Sequence, residues 1–527
     1  MSVNRCIYGL VATLILTVTF GARAYEVFQG PTELIQYDPA KAGSGYTLFS
    51  PFRGDNTYLI DMHGEVVHYW PYPDWSIPNS EAIEKHARLL EDGTLLRGVV
   101  DKRNRGGMSG ARYQLVDWDG EVIWEYGDER PEVSPHHDFR MIWNPKLQER
   151  TLLYVATTAI SHEEAIAAGV DPAGREDIAS RPDGLVEVDL DGNILWEWNI
   201  KDHTVQDHNP DLENYGVVAE EYGKMDPNFG GGVEGDWIHV NSIDYNAVLD
   251  QIVVNNSAFS ESYVIDHGGT FVPGDPEESV RLAASDAGDF VFRWGNPCVY
   301  DAGDCPSSIN EGQSSANGHQ QVYFTHDIQW IRHREIGPEI GDLPGAGNFL
   351  IFDNGTRRLG QTFSSVLEFN PYDGPMEDGV YVHEMDAGHN PPVGGMGSGL
   401  AGNDTISKQI VWSFRPPLPG AFFSSYISGM QRLPNGNTLV CSGGHGHFFE
   451  VTPDGEVVWE YVNPVGNRTA GDYGIYTIMT ADTADHFNST FRCARYESDY
   501  PGLQGRDLTP LGQVTEIHRT EVDRPPR

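Results

Sequence analysis

Cysteine is scarce in this chain of 527 residues, which holds only five. No CxxC spacing occurs, so thiolate metal ligation of the usual kind is disfavoured. Cys6 lies in the N-terminal leader, and the other four cysteines can form two bridges in an oxidising compartment. Cys298 and Cys305 close the short loop CVYDAGDC, and by elimination Cys441 and Cys493 would tie the last repeat to the C-terminal segment. Basic side chains are equally thin: 35 Lys and Arg stand against 77 Asp and Glu, a formal charge of −42. That field repels nucleic acid and anionic membranes and keeps the surface well solvated. An anionic ligand would need a local positive pocket, so any cluster of Arg or His gains weight. Long apolar runs are confined to Ile7–Phe20, preceded by Arg5 and followed by the small-residue site Ala22-Arg23-Ala24. Residues 1–24 therefore read as a secretory signal, the expected location is periplasmic or secreted, and no membrane association is expected after its removal. Neither a GxxxxGK[ST] phosphate loop nor an EF-hand pattern is present.

What is present is a repeated phrase, a strand, a Gly turn and a second strand carrying Trp. Its copies close on Trp70, Trp124, Trp196, Trp294, Trp412 and Trp459, as in YLIDMHGEVVHYW and VEVDLDGNILWEW. Alternating apolar residues around Asp-Gly specify antiparallel hairpins, with a two-residue turn and positive φ at both central positions as the expectation. One hairpin cannot bury its own apolar face, so six copies imply a closed ring. The fold expected is all-β, a six-bladed β-propeller with long loop insertions and a short N-terminal β segment. The boundaries are residues 25–44 for that segment, 45–519 for the propeller and 520–527 for a disordered tail. Insertions are expected at 160–182, 200–235, 270–320 and 374–408, where Gly, Pro, Asp and Asn concentrate. They would cover one mouth of the ring. The tail FRCARYESDYPGLQGRDLTP reads as ordered and suited to completing a blade.

The blade openings bring the chemistry. His86, His136 or His137, His239 and His326 each begin an inner-strand phrase, and such positions converge on the axis of a propeller. For one His, the plain reading is a hydrogen-bonded core imidazole; four at matching places make an axial site an equal contender. A second cluster, NFLIFDNGTRRLG, sets Asn354, Arg357 and Arg358 after an apolar strand, and guanidinium offers a planar fork of donors to an oxyanion. A surface ion pair is the plain alternative. The third, CSGGHGHFFEV, places His445 and His447 on one side of a strand, a pairing that could also ligate metal.

With DWIHVNSIDYN, FTHDIQW, FLIFDNGTRR and GGHGHFFEV in view, together with RLPNGNTL and the VWEY phrases, the chain resembles the bacterial arylsulfate sulfotransferase family over nearly its whole mature length. The resemblance implies transfer of a sulfuryl group from an aryl sulfate to a phenol through a sulfated His, with no nucleotide donor and no cofactor. It implies His447 as the nucleophile, with His445 two residues away as the rival, and His239 and His326 as supporting imidazoles. It further implies Arg358 as the sulfate-binding arginine and Asn354 as the matching Asn, with His86, His137 and His445 lining the substrate site. The chemistry suits these residue types. A neutral imidazole is nucleophilic near pH 7, and a covalent intermediate divides one hard transfer into two easier steps. The partners implied are small phenols and aryl sulfates, with a homodimer through the N-terminal segment left open.

Three other readings fit the residues. A copper oxidoreductase would use the same imidazoles as ligands, a non-enzymatic binding propeller would keep them structural, and a sulfatase-like site would pass the group to water.

Overall fold

A computed structural model describes residues 30–517 apart from 53, 73–85, 101–110, 174–179, 234, 307–317, 332–342, 359–361, 374–379, 391–405, 416–421, 470–471, 476–477 and 480–487. The expected leader, residues 1–24, and tail, residues 520–527, lie outside the described residues.

Six antiparallel sheets form a six-bladed propeller. Blade two runs outward from the axis through Ala87–Leu89, Leu95–Val100, Ala111–Val116 and Val122–Tyr126. Blade three uses Val133–Asn144, Glu149–Thr158, Asp183–Val188 and Ile194–Asn199 in the same order. Blade four follows with Val240–Asn246, Gln251–Asn256, Glu261–Ile265 and Phe290–Trp294. Blade five comprises Thr325–Trp330, Phe349–Asp353, Ser365–Phe369 and Ile410–Phe414.

The two ends of the chain close the ring. Blade one takes Tyr46–Pro51, Asn56–Ile60 and Glu65–Pro71 from the N-terminal side and its innermost strand, Thr490–Tyr496, from the C-terminal side. Blade six, Gly429–Arg432 to Val457–Val462, gains Glu33–Tyr37 as a fifth, outermost strand. The expected tail strand and N-terminal β segment are both there. Glu33 ties these ends together by accepting from the backbone N–H and the hydroxyl of Thr515.

Each Trp of the repeat lies on the fourth strand of its blade, and most reach the hairpin turn of the next blade. The indole N–H of Trp70 donates to the Asp117 carbonyl (3.0 Å), Trp124 to Leu190 (2.7 Å), Trp412 to Pro453 (2.8 Å) and Trp459 to Met62 (3.0 Å). Trp196 instead donates to the Thr270 hydroxyl, 3.0 Å away. A Trp suits this position because it fills the space between sheets while its N–H satisfies a turn carbonyl. The repeat was therefore legible because it marks a contact between blades.

The turns differ from the tight two-residue form. Only the glycine is left-handed, as at Gly64 (φ 78°), Gly120 (φ 90°) and Gly192 (φ 86°). The preceding Asp bends the chain instead: the Asp61 carboxylate accepts from the N–H groups of His63 and Glu65, and Asp117 and Asp189 do the same in blades two and three. This side-chain-stabilised turn needs one positive φ rather than two, and a register shift follows it in each blade.

Near the axis, a second repeat joins blades three to six. The Asp138 carboxylate accepts from the Ile243 N–H (3.0 Å), the Ser242 hydroxyl from Ile328 (3.0 Å) and the Asp327 carboxylate from Met430 (3.1 Å). The donors are the next blade's inner-strand backbone groups, so these bonds set one blade against another. The Cys298–Cys305 disulfide is formed as expected. Cys441 and Cys493 correct the other pairing: both are buried free thiols, one on the second strand of blade six and the other on the inner strand of blade one. Burial holds the Cys441 thiol well above its ordinary pKa.

Candidate active site

The inner strands all run from one mouth of the ring to the other, and their first residues share a mouth with the loops between second and third strands. This mouth holds the candidate imidazoles and the Asn354–Arg358 loop. At the opposite mouth a cavity of about 400 Å³ is lined by Arg140, Gln329, Trp330, Gln431, Arg432 and Arg495, among others. Its three guanidinium groups are already paired, with Asp244, Glu368 and Glu450.

His137, His239 and His326 form the axial group, with His86 one layer beneath. The rings of His137 and His239 meet edge to face at 4.6 Å. His137 and His239 both have φ of 50°, a conformation costly for a residue with a Cβ, and each stands beside a register shift that re-aims its side chain. The His Nδ1 atoms of His136 and His137 lie 2.8 Å apart, so one of them donates to the other. His86 stacks between Phe139 (4.3 Å) and Phe491 (5.2 Å), with Nε2 3.3 Å from the His137 carbonyl and 3.4 Å from Asp138.

The four positions are not fully equivalent. His137 and His326 each precede the Asp that caps the next blade, whereas Asn241 precedes Ser242 at that place in blade four. Asn241 turns its amide onto the Thr325 carbonyl, and His239 reaches the axis from two residues earlier.

Charge beneath and around this group is organised by residues the sequence reading did not single out. Arg492, from the closing strand, donates to Asp138 at 2.7 Å and to the Asn241 carbonyl at 3.1 Å, and sits 3.2 Å from Asp327. Asp236 holds His239 by Nδ1 at 2.6 Å. Burial opposes charge on His239, but the bond to Asp236 and the charges of Asp236 and Asp183 prevail and raise its pKa. The other imidazoles go the opposite way. Burial drives His86 and His137 well below the ordinary value, and it takes His326 down to about 3. The site thus combines imidazoles whose environment disfavours the charged form with one, His239, whose environment favours it.

The two adjacent arginines also have different tasks. Arg358 is the ion-pair partner of the buried Asp353, sandwiched between the rings of Tyr323 (4.4 Å) and Phe363 (4.3 Å). Arg357 is exposed, has no carboxylate partner among the described residues, and lies over the Phe324 ring at 5.4 Å. Its charge is felt at His239, where it opposes protonation. The Arg357 backbone, at φ 73°, turns the second guanidinium inward and the first toward the mouth. Arg357 is thus the exposed guanidinium of the pair and Arg358 the one engaged by a carboxylate.

Asn354 is fully buried and fixed by its neighbours. Its Nδ2 donates to the carbonyls of Ser424 and Ile427, both at 2.8 Å, and its Oδ1 faces His326 Nδ1 at 2.6 Å. His445 lies in the adjoining loop of blade six, its Nε2 3.2 Å from the Phe423 carbonyl. His447 is set farther out. It opens the third strand of blade six, about two strand spacings or 10 Å outside the inner strand. Strand alternation puts it on the face of Phe449 and Val451, which pack toward blade five, and its Nε2 is 2.9 Å from Glu460. Among the described residues, no group of three or more His, Cys, Asp or Glu is arranged to hold a metal ion.

Comparison with known proteins adds the family. No curated protein matches the chain. Solved structures with a similar course include a protein of unknown function from Bacteroides caccae, 10% identical, with TM-score 0.38 and coverage of 86% of this chain and 98% of that one. Virginiamycin B lyase from Staphylococcus aureus is 9% identical, with TM-score 0.33 and coverage of 82% and 84%. Hydrazine synthase from Kuenenia stuttgartiensis is 11% identical, with TM-score 0.30 and coverage of 57% and 62%. The family model described as Arylsulfotransferase (ASST) matches residues 53–270, a stretch that runs from blade one into blade four and contains His86, His137 and His239 but neither His326 nor the Asn354 loop. Over that stretch, less than half of the chain, the protein is similar to the arylsulfotransferase family.

Proposed function

We propose that the imidazole-lined mouth moves a sulfuryl group from an aryl sulfate ester to a phenolic acceptor through a sulfohistidine. The observation that supports it is the neighbourhood of the imidazoles His137 and His326, whose charged forms burial disfavours, with the Asp236-bound His239, whose charged form is favoured, and Arg357, which has no carboxylate partner among the described residues. Sulfuryl transfer needs both. The sulfonate oxygens bear negative charge throughout, so Arg357 would bind them and offset the repulsion of a chain with net charge −42. The departing aryloxide needs a proton, which His239 would supply and later recover from the incoming phenol. Phe324 and Phe491 provide ring faces beside these groups for an aryl substrate.

The test is incubation with 4-nitrophenyl sulfate, with and without phenol. Release of 4-nitrophenol that rises with phenol, matched by phenyl sulfate formed, supports transfer. Release independent of phenol and matched by free sulfate would make the protein a sulfatase. Export is part of the same proposal, since an oxidising compartment suits the Cys298–Cys305 bridge. The mature protein should begin at Tyr25 on N-terminal sequencing, and a chain beginning at Met1 would refute export by this signal.

A further inference from the structure

The cavity of about 400 Å³ at the mouth opposite the imidazoles has hydrogen-bonding groups of both kinds in its wall. Gln329 lies on the inner strand of blade five, and its Nε2 donates to the Asp327 carboxylate and the Met430 carbonyl. Its Oε1 accepts from no described residue, and the hydroxyl of Ser44, an exposed wall residue, is also without a partner among them. Donors come from Arg432 and Arg495. Arg432 donates to Glu368 and the Pro344 carbonyl, while its Nε has no acceptor among the described residues. Arg495 donates to Thr47, Gly43 and Glu450, while its Nη2 has none. A buried donor left without an acceptor is unfavourable, so a ligand that supplies one is favoured.

Charge decides between ligand classes. Arg140, Arg432 and Arg495 are matched by Asp244, Glu368 and Glu450, all of them buried. These pairs leave no surplus positive charge for an anion, and Glu497 adds an acid to the wall. A carboxylate or sulfate would also set its lone pairs against those of Gln329 Oε1. Hydroxyl groups both accept and donate, so they can meet guanidinium N–H groups and an amide oxygen alike. Part of the wall is ring surface. The Tyr496 hydroxyl accepts from the Leu89 N–H (2.9 Å) and the Tyr500 hydroxyl donates to the Leu89 carbonyl (2.8 Å). Both hydroxyls are thus committed to blade two, and the ring bodies, 4.8 Å apart, are left to line the cavity. A pyranose suits such a wall, with hydroxyls around its edge and a patch of C–H groups that packs on an aromatic ring.

We infer that this cavity binds a neutral mono- or disaccharide, and that it does so separately from the imidazole mouth. Its volume is that of an ordinary small-ligand pocket. A second cavity, of about 30 Å³, shares Gln329 and Gln431 with it and reaches Arg492 and His86. That space has room for about one water molecule, so a sugar ring cannot pass along the axis to the imidazoles. The saccharide is therefore a ligand of the far mouth and not a group acceptor at the near one, and the inference stands whether or not the sulfotransfer reading does. A free sugar and the end of a polysaccharide chain present the same chemistry to the wall.

The experiment is saturation-transfer difference NMR on the full-length protein with glucose, galactose, mannose, N-acetylglucosamine, maltose, cellobiose and lactose, and with glucuronate and benzoate as anionic probes. The expected result is transfer to the ring C–H protons of at least one neutral sugar, stronger than to either anion. Gln329→Leu should weaken binding about tenfold. Ser44→Trp, which narrows the cavity without removing a bond between blades, should weaken it as well in a protein that unfolds like wild type. His326→Gln should bind as wild type does. Retention on insoluble starch or cellulose, released by the matching disaccharide, would support the inference with a chain end as the source, and sugar binding without such retention would support it with a free sugar. A stronger signal from glucuronate or benzoate that Gln329→Leu abolishes would overturn the inference in favour of an anion site. No transfer to any neutral sugar, transfer unchanged in both wall variants, or transfer lost in His326→Gln would overturn it outright.

Discussion

Raising the pH should remove a defined part of the protein's stability through one buried imidazole. His267 lies between Glu187 of blade three, 2.8 Å from Nε2, and Asp250 of blade four, 2.6 Å from Nδ1. Ring and Glu187 are fully buried, and Glu187 is also bonded by Asn144 and Thr151. Two carboxylates can only accept, so both ring nitrogens donate and the ring is cationic. Burial is the largest influence and works against the charge, yet the Glu187 charge and the bonds to both carboxylates carry the pKa up to about 9. The native state therefore holds a proton that the unfolded chain releases near 6.5. The stabilisation is complete below about pH 6.5 and fades as pH rises through about 9. At about 1.4 kcal/mol per tenfold, that gap corresponds to roughly 3 kcal/mol. Urea unfolding followed by Trp fluorescence from about pH 6 to pH 10 measures it, with His267→Gln as reference. The stability difference between wild type and variant should shrink by about 3 kcal/mol over the range. A difference that stays constant would refute a cationic His267.

Three other outcomes follow from named contacts. Arg357→Ala should cut kcat/KM for aryl sulfates by about a hundredfold with little change in unfolding, whereas Arg358→Ala strands the buried Asp353 carboxylate and should cost about 3 kcal/mol of stability. Equal unfolding curves for the two variants would contradict their separate roles. Asp236→Asn removes the carboxylate charge that helps raise the His239 pKa, so the alkaline limb of the kcat/KM profile should move to lower pH. An unmoved limb means that His239 is not the acid. Truncation after residue 489 deletes the innermost strand of blade one together with Arg492 and should abolish cooperative unfolding, while truncation after residue 517 should change neither stability nor activity. Normal unfolding of the shorter chain would show that closure does not depend on Thr490–Tyr496.

The fold was legible because its repeat is written in residues with few other uses. Trp70, Trp124, Trp412 and Trp459 recur since each fills an inter-blade gap and donates to a turn carbonyl in the next blade. The axial imidazoles were legible from the openings of inner strands, although the register offset that puts Asn241 where blades three and five have His is set by local bulges. Arg357 and Arg358 look alike in sequence, and only the left-handed turn at Arg357 decides which side chain is buried. His447 stands beside apolar residues in a clear strand, but a strand pattern does not report distance from the axis. Asp236 and Arg492 gave no signal of their own, because acids are abundant here and the closing strand meets the site only after the ring closes. Counting cysteines suggested a second bridge, yet parity carries no information about whether two neighbouring thiols are bonded.

The most direct measurement of the central claim varies 4-nitrophenyl sulfate and phenol together and records initial rates of nitrophenol release. An axial imidazole that carries the sulfuryl group between two phenols predicts parallel double-reciprocal lines, with rates lost in His239→Gln and His326→Gln variants that still fold. Lines that intersect to the left of the axis, or activity that survives both substitutions, would contradict it.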